Sequence, residues 1–154
     1  MKDPTDYRSE VMRDGERGRP PMEPSKSMTV RMHKKRHLQM VDYCVEHGVS
    51  QRVFIEEAAP PLVMNNDFAR MVRLRRRHPS RFDADNQETE FVTLRFNKRL
   101  SIAVTCYCID RDISQVEFLE LAIETLCRNK EFSKAMKARR VQLLEQRDAY
   151  NTTK

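Results

Sequence analysis

The residues of this chain best suited to chemistry come in pairs set 64 positions apart. Thr29-Val30-Arg31 is matched by Thr93-Leu94-Arg95. A guanidinium is a planar fork of donors that fits two parallel hydrogen bonds onto a flat acceptor edge, and a threonine hydroxyl both donates and accepts. Lys34 and Lys35 are matched by Lys98 and Arg99, and Ser50-Gln51 by Ser114-Gln115. Serine opening a helix caps it, and the N–H groups of that first turn, at the positive end of the helix dipole, suit a phosphate. The paired residues are therefore chemistry for a polyanion.

Other chemistries find little support. His33 and His37 stand four apart, the spacing of a metal pair, but no third ligand of clear geometry accompanies them, so a surface pair is expected. Cys44, Cys106, Cys108 and Cys127 contain no Cys-x-x-Cys. Cys44 and Cys108 read as small core residues. With Gly15, Gly18 and Gly48 the only glycines, no phosphate-cradling loop is available. No nucleophile–base–acid set is present. The expectation is a protein that is not an enzyme and uses no cofactor and no metal.

The elements that position these residues also come twice. Residues 28–72 laid over residues 92–136 without a gap align Tyr43-Cys44 with Tyr107-Cys108, Phe54 with Phe118, Asn65 with Asn129 and Phe68 with Phe132. Unmatched columns are mostly conservative, such as Val30/Leu94 and Ile55/Leu119. A fixed offset over this length indicates a duplicated unit, each copy too short to bury much core alone. In each copy the period changes partway. Thr29–Met32 and Thr93–Phe96 alternate polar and apolar, as a half-buried strand does. Asn97 suits an N-cap, and Leu38, Val41, Cys44 and Val45, with Ile102, Cys108 and Ile109, then recur at helical spacing.

Gly48 reads as a helix-ending glycine, with Asp112 in its place in the second copy. Ser50 and Ser114 cap a second helix, and Ser114 with Glu117 predicts a capping box. Pro60 and Pro61 should kink or stop the first copy's second helix near Ala59. A third, charged helix is expected over residues 67–77 and 131–149.

Charge follows the same layout. Residues 1–26 carry six bases and six acids; residues 27–82 carry eleven bases and five acids; residues 83–90 carry four acids and no base; residues 91–154 carry twelve bases and eight acids. Both copies are cationic and the joint is anionic. A polyanionic partner and a merely solvated surface meet this pattern equally. The division expected is a disordered arm over 1–26, one unit over 27–77, an acidic linker over 78–90, a second unit over 91–130, and a charged helix and tail over 131–154. No apolar run approaches the roughly 18 residues of a membrane span, and no signal-peptide core follows Met1. The expected location is the bacterial cytoplasm or nucleoid.

A short alternating strand followed by two helices, carried by Val30-Arg31-Met32, Val49-Ser50 and Phe54–Ala58, resembles the ribbon-helix-helix family of DNA-binding proteins, the Arc and MetJ repressor class. Leu94-Arg95-Phe96, Ile113-Ser114 and Phe118–Ala122 carry the resemblance again. Two units in one chain are similar to the TraY proteins of conjugative plasmids, which act in the relaxosome at the transfer origin. The resemblance implies a mainly α fold with a short two-stranded antiparallel ribbon, two tandem units forming an intramolecular pseudo-dimer. The ribbon would lie in the major groove of double-stranded DNA, with Ser27, Thr29 and Arg31 beside Phe91, Thr93 and Arg95 reading bases. Ser50, Gln51, Ser114, Gln115, Lys34, Lys35, Lys98 and Arg99 would hold phosphates.

Serine at 27 against phenylalanine at 91 predicts similar but unequal half-sites. The run Arg73, Arg75, Arg76 and Arg77 reads equally as a contact to flanking DNA backbone and as a solvated helix face. Further partners expected are other copies of the chain on adjacent sites, through Val141 and Leu144, and a relaxase or other protein. The competing reading is a protein-interaction module, an antitoxin or a phage scaffold or host-takeover factor, with the same fold and no specific DNA binding.

Overall fold

The structure, a computed structural model, describes residues 24–152. The described chain is mainly helical with one two-stranded antiparallel sheet. In order it runs β1 (Ser25–His33), α1 (Lys34–His47), α2 (Gln51–Val63), α3 (Asn66–Arg77), α4 (Arg81–Asp85), β2 (Thr89–Asn97), α5 (Lys98–Asp110), α6 (Gln115–Leu126) and α7 (Lys130–Thr152). Residues 24–140 make one compact unit; residues 141–152, the end of α7, belong to another.

The strands form because alternation gives each one apolar face. Met28, Val30 and Met32 of β1 and Val92, Leu94 and Phe96 of β2 are buried, while the residues between them are exposed. Burial of side chains of this size contributes about 1.5–3 kcal/mol each. Thr29 pairs with Thr93 at the centre of the ladder, Ser27 with Arg95 and Arg31 with Phe91. Each strand then turns into a helix whose first residue continues the pairing: Lys34 N–H donates to Glu88 O at 2.8 Å, and Lys98 N–H to Pro24 O at 3.0 Å. Strand β1 thus begins at Ser25 and β2 at Thr89, each two residues earlier than the expected units. The rest of the expected N-terminal arm falls on residues outside those described.

Helices cross over to the opposite strand. Helix α2 packs on β2 and α5, and α6 packs on β1 and α1. Two aromatic clusters fix the crossing. Phe54 lies edge-on to Tyr43 and Phe132 at 5.5 and 5.3 Å, and Phe118 lies edge-on to Tyr107 and Phe68 at 5.7 and 5.1 Å. The tyrosines also serve the N-termini of the third helices. Tyr107 Oη accepts from Ala69 N–H and donates to Asn65 O, and Tyr43 Oη bonds Ser133 Oγ at 3.0 Å.

Local punctuation follows the sequence. Asn97 Oδ1 accepts from the N–H groups of Arg99 and Leu100, and Ser50 Oγ from Val53 N–H. Ser114 and Glu117 complete the reciprocal capping box. Gly48 ends α1 at φ +64°, and Asp112 takes φ +56° at the corresponding place, a left-handed position where aspartate is one of the few tolerated side chains.

Two expectations are corrected. Helix α2 does not stop near Ala59 but runs through Pro60 and Pro61 to Val63. The prolines sit within its last turn, so the helical bonds they remove lie at its very end. The buried stripe of α1 is Arg36, Met40, Tyr43 and Cys44, and that of α5 is Ser101, Val104, Tyr107 and Cys108. Leu38, Val45, Ile102 and Ile109 are exposed instead, Val45 by 76% and Ile109 by 73%. A buried arginine and a buried serine at the ends of the true stripes disguise them.

Finally, the linker is structured. Ser80 caps α4 by accepting from Asp83 N–H, and Asp83 reaches into the fold to bond Arg36 Nη2 at 2.7 Å.

Arg36 is 1% exposed, bonded also to Gln39 Oε1, with its guanidinium 4.2 Å from the Phe82 ring centroid and its Nε without a partner. Leu100 occupies the equivalent place in the other half. Removing one partner of a buried pair strands a charge, whereas an apolar replacement of the whole group is often neutral. Asp83→Ala should therefore lower unfolding stability by about 3 kcal/mol, and the double replacement Arg36→Leu/Asp83→Ala by much less. Urea denaturation of the two variants checks this; equal losses would show that the pair does not carry the cost.

Candidate nucleic-acid interface

The ribbon has one face on the helices and one toward solvent. Ser27, Thr29, Arg31, Phe91, Thr93 and Arg95 all lie on the solvent face, as the alternation requires. Thr29 Oγ1 and Thr93 Oγ1 meet at 3.0 Å across the ladder. Arg31 and Arg95 stand on opposite strands on either side of this threonine pair, so the face has an approximate two-fold about its centre. Arg31 Nε donates to Thr89 Oγ1 at 2.7 Å, with its guanidinium 5.8 Å from the Phe91 ring; Arg95 Nε lies 3.4 Å from Ser27 Oγ. Through Nε, these bonds orient each arginine across the ribbon. The one acid of either described strand, Glu90, is on the helix side, bonded to His37 Nδ1 at 2.8 Å.

The flanking cations are exposed. Lys34, Lys35, Lys98 and Arg99 form the first turns of α1 and α5. Lys34 makes a loose pair with Glu88 at 3.5 Å, both side chains at least half exposed, which contributes little to stability and leaves the ammonium accessible.

The expected phosphate positions at the second helices are less alike than their sequences. Ser50 and Ser114 are exposed caps, and Gln51 and Gln115 are half-buried. Gln115 Nε2 donates to Thr105 Oγ1 at 2.9 Å, and Gln51 Oε1 lies 3.4 Å from His37 Nε2. The first turn of α2 carries no acid, whereas that of α6 carries Glu117. An acid at a helix N-terminus occupies the dipole's positive end, so the α2 terminus is the more open to an anion.

Arg76 offsets Glu117. Its Nε and Nη2 each reach the carboxylate at 2.8 Å, and Nη2 also donates to Asp112 O. Arg73 donates to Arg111 O, and Arg75 bonds both oxygens of Glu124. The basic run of α3 is thus partly solvated, with Arg76 and Arg77 exposed, and partly bound. It is a brace, three of its four arginines committed to the other half of the chain. Their partners lie 36 to 49 residues away, which hid this from the sequence.

The histidines are likewise not a surface pair. His33 Nδ1 bonds Glu120 Oε1 at 2.5 Å and His37 bonds Glu90, both rings mostly covered. The thiols of Cys44, Cys108 and Cys127 are pushed up to about 11 by burial, and Cys106 is exposed. No helix among the described residues is long and apolar enough to cross a membrane.

Comparison of the chain with family models, with curated proteins and with solved structures gives no match.

The bonds from Arg76, together with those from Ser114, hold the Glu117 carboxyl at about 2, below its ordinary 4.5. A carboxyl depressed in the folded state adds stability that is present above the unfolded value and lost as pH falls through the folded one. Glu117→Gln should therefore flatten the loss of Tm between pH about 4.5 and about 2. Thermal melts across that range test it; parallel acid limbs in the two proteins would refute the assignment.

Proposed function

We propose that the chain is a sequence-specific double-stranded DNA-binding protein of ribbon-helix-helix type. In this reading two tandem units in one chain build a pseudo-dimer whose β1–β2 ribbon enters the major groove. The observation that carries it is the solvent face of the ribbon: a central threonine pair flanked diagonally by Arg31 and Arg95, with no acid on that face. A two-stranded ribbon fits the major groove, and arginine reads guanine through O6 and N7. Lys34, Lys35, Lys98 and Arg99 add phosphate affinity through counterion release, and the N-termini of α2 and α6 add backbone N–H donors. Ser27 and Phe91, the latter 75% exposed, sit at equivalent places and would read the two half-sites differently. Promoter repression and marking of a plasmid or phage origin for a nicking partner both use this same face, in the bacterial cytoplasm.

A second reading, a protein-interaction module, draws on the exposed Leu38, Val45, Ile102 and Ile109, which give α1 and α5 apolar residues beyond the core. Self-association of chains on adjacent sites would use the exposed Val141 and Leu144 of α7.

The deciding experiment is a gel shift with DNA upstream of the protein's own gene against random duplex, at about 50 and 200 mM salt, the range over which phosphate-dominated binding weakens strongly. Each good arginine–guanine pair discriminates by roughly 1–3 kcal/mol, so Arg31→Ala/Arg95→Ala should lose at least about tenfold in preference for the specific probe. Weak, salt-sensitive binding to all DNA should remain in that variant. Equal binding of both probes by wild type and variant would remove the ribbon as reader. No binding at either salt would favour the protein-interaction module.

A further inference from the structure

One corner of the molecule carries chemistry that the ribbon does not use. His33 ends β1, Asp83 lies on the linker helix α4, and Glu120 lies on α6. Their ligand atoms all fall within 4.8 Å of one another, the one set of three among the described residues that meets this spacing. They line a cavity of about 250 Å³ together with Arg75, Arg76, Glu117 and Glu124. We propose that His33, Asp83 and Glu120 are a binding site for a divalent transition-metal ion, zinc foremost, departing from the expectation of no metal drawn from sequence alone.

The donor set fits such an ion. One imidazole and two carboxylates suit borderline metals of the zinc type better than calcium or magnesium, which favour oxygen alone. Two carboxylates, one of them shared with Arg36, and an imidazole bring negative charge and three donors to the ion. Donors around a tetrahedral zinc ion, each about 2.0–2.1 Å from it, stand roughly 3.3 Å apart. His33 and Glu120, now bonded at 2.5 Å, need part by less than an ångström, and the Asp83 oxygen, within 4.8 Å of both, must close by at most about 1.5 Å. The cavity has room for the water that completes four-coordination.

The surroundings separate these residues from ordinary ion pairs. The other acids of the cavity are engaged by arginines, Glu117 by Arg76 and Glu124 by Arg75. Glu120 has a histidine instead, and its side chain is mostly covered. Arg36 holds one oxygen of Asp83 at 2.7 Å and leaves the other for the ion, the outer support that metal-binding carboxylates usually have. His33 also stands at the N-cap of α1 without making a capping bond, whereas Asn97, 64 residues on, caps α5. Its ring is committed to the cavity.

The test is calorimetric titration of ZnCl2 into the full chelator-stripped chain, with melting temperature followed in parallel and Co2+ absorbance reporting coordination. One ion per chain is expected, with a rise in Tm of several degrees at saturation. Glu120→Gln keeps the shape and the bond to His33 and should weaken binding at least tenfold; His33→Asn should do the same. Glu90→Gln, at the neighbouring His37 pair, and Cys106→Ser, removing the exposed thiol, should leave it unchanged. Absence of zinc heat and Tm shift overturns the proposal. So does binding that survives Glu120→Gln and His33→Asn, or that vanishes with Cys106→Ser.

Discussion

The pairing of β1 with β2 is the constraint on which the rest depends. Among the described residues each strand has the other as its only neighbour, and the ladder joins segments 64 residues apart at its Thr29–Thr93 centre. A two-stranded ribbon is marginal by itself in water, so it persists only because Met32 and Phe96, both fully buried, seat it on the helices. The same burial fixes its register. Slipping one strand by one residue would turn Arg31 or Arg95 into the core and Val30 or Leu94 out to water, a change no local rearrangement relieves. The continuation bonds from Lys34 and Lys98 lock both ends. The residues presented to solvent are thus selected by what the opposite face must hide.

Crossing over makes the two segments interdependent. Helix α2 lies under β2 rather than under its own strand, and α6 lies under β1. Glu56 Oε2 accepts from the backbone N–H of Asn97, as Glu120 meets His33, so each second helix also grips the end of the opposite strand. The tyrosine of each first helix bonds the start of the other segment's third helix. Neither segment can therefore complete its core alone, and residues 24–140 should unfold as one cooperative unit.

What the sequence revealed divides along the same line. Strands, caps and the left-handed Gly48 are set by residues within about four positions, and alternation, serine caps and the capping box are legible at that range. The ribbon face follows from period two alone, so all six of its residues could be named beforehand. The arginine brace, the buried Arg36 and the histidine–carboxylate bonds involve partners 36 to 87 residues away, chosen by tertiary packing. Leu38 and Val45 misled because a helix stripe is judged by its apolar members, and the stripe that packs here begins with a buried arginine. Pro60 and Pro61 misled because each proline costs a bond to the turn before it, and the buried Phe54, Ile55, Ala58 and Ala59 hold that turn regardless.

Two differences between positions 64 apart meet at one corner. His33 stands against Asn97, Arg36 against Leu100, and both first members point to the linker end of the ribbon. There the linker supplies Asp83, which Arg36 needs and which has no counterpart in the second segment, whose third helix α7 continues through the matching position, Arg147. A ribbon assembled from two identical chains must present two equal ends, because any substitution appears twice. A ribbon assembled within one chain escapes that requirement, and the segment joining its halves can be drawn into one end alone. If the ribbon reads DNA as proposed, the exchange of Ser27 for Phe91 on the solvent face is the same freedom applied to recognition. On the proposed reading, this separates a chain that reads an imperfect palindrome from a homodimer that reads a perfect one.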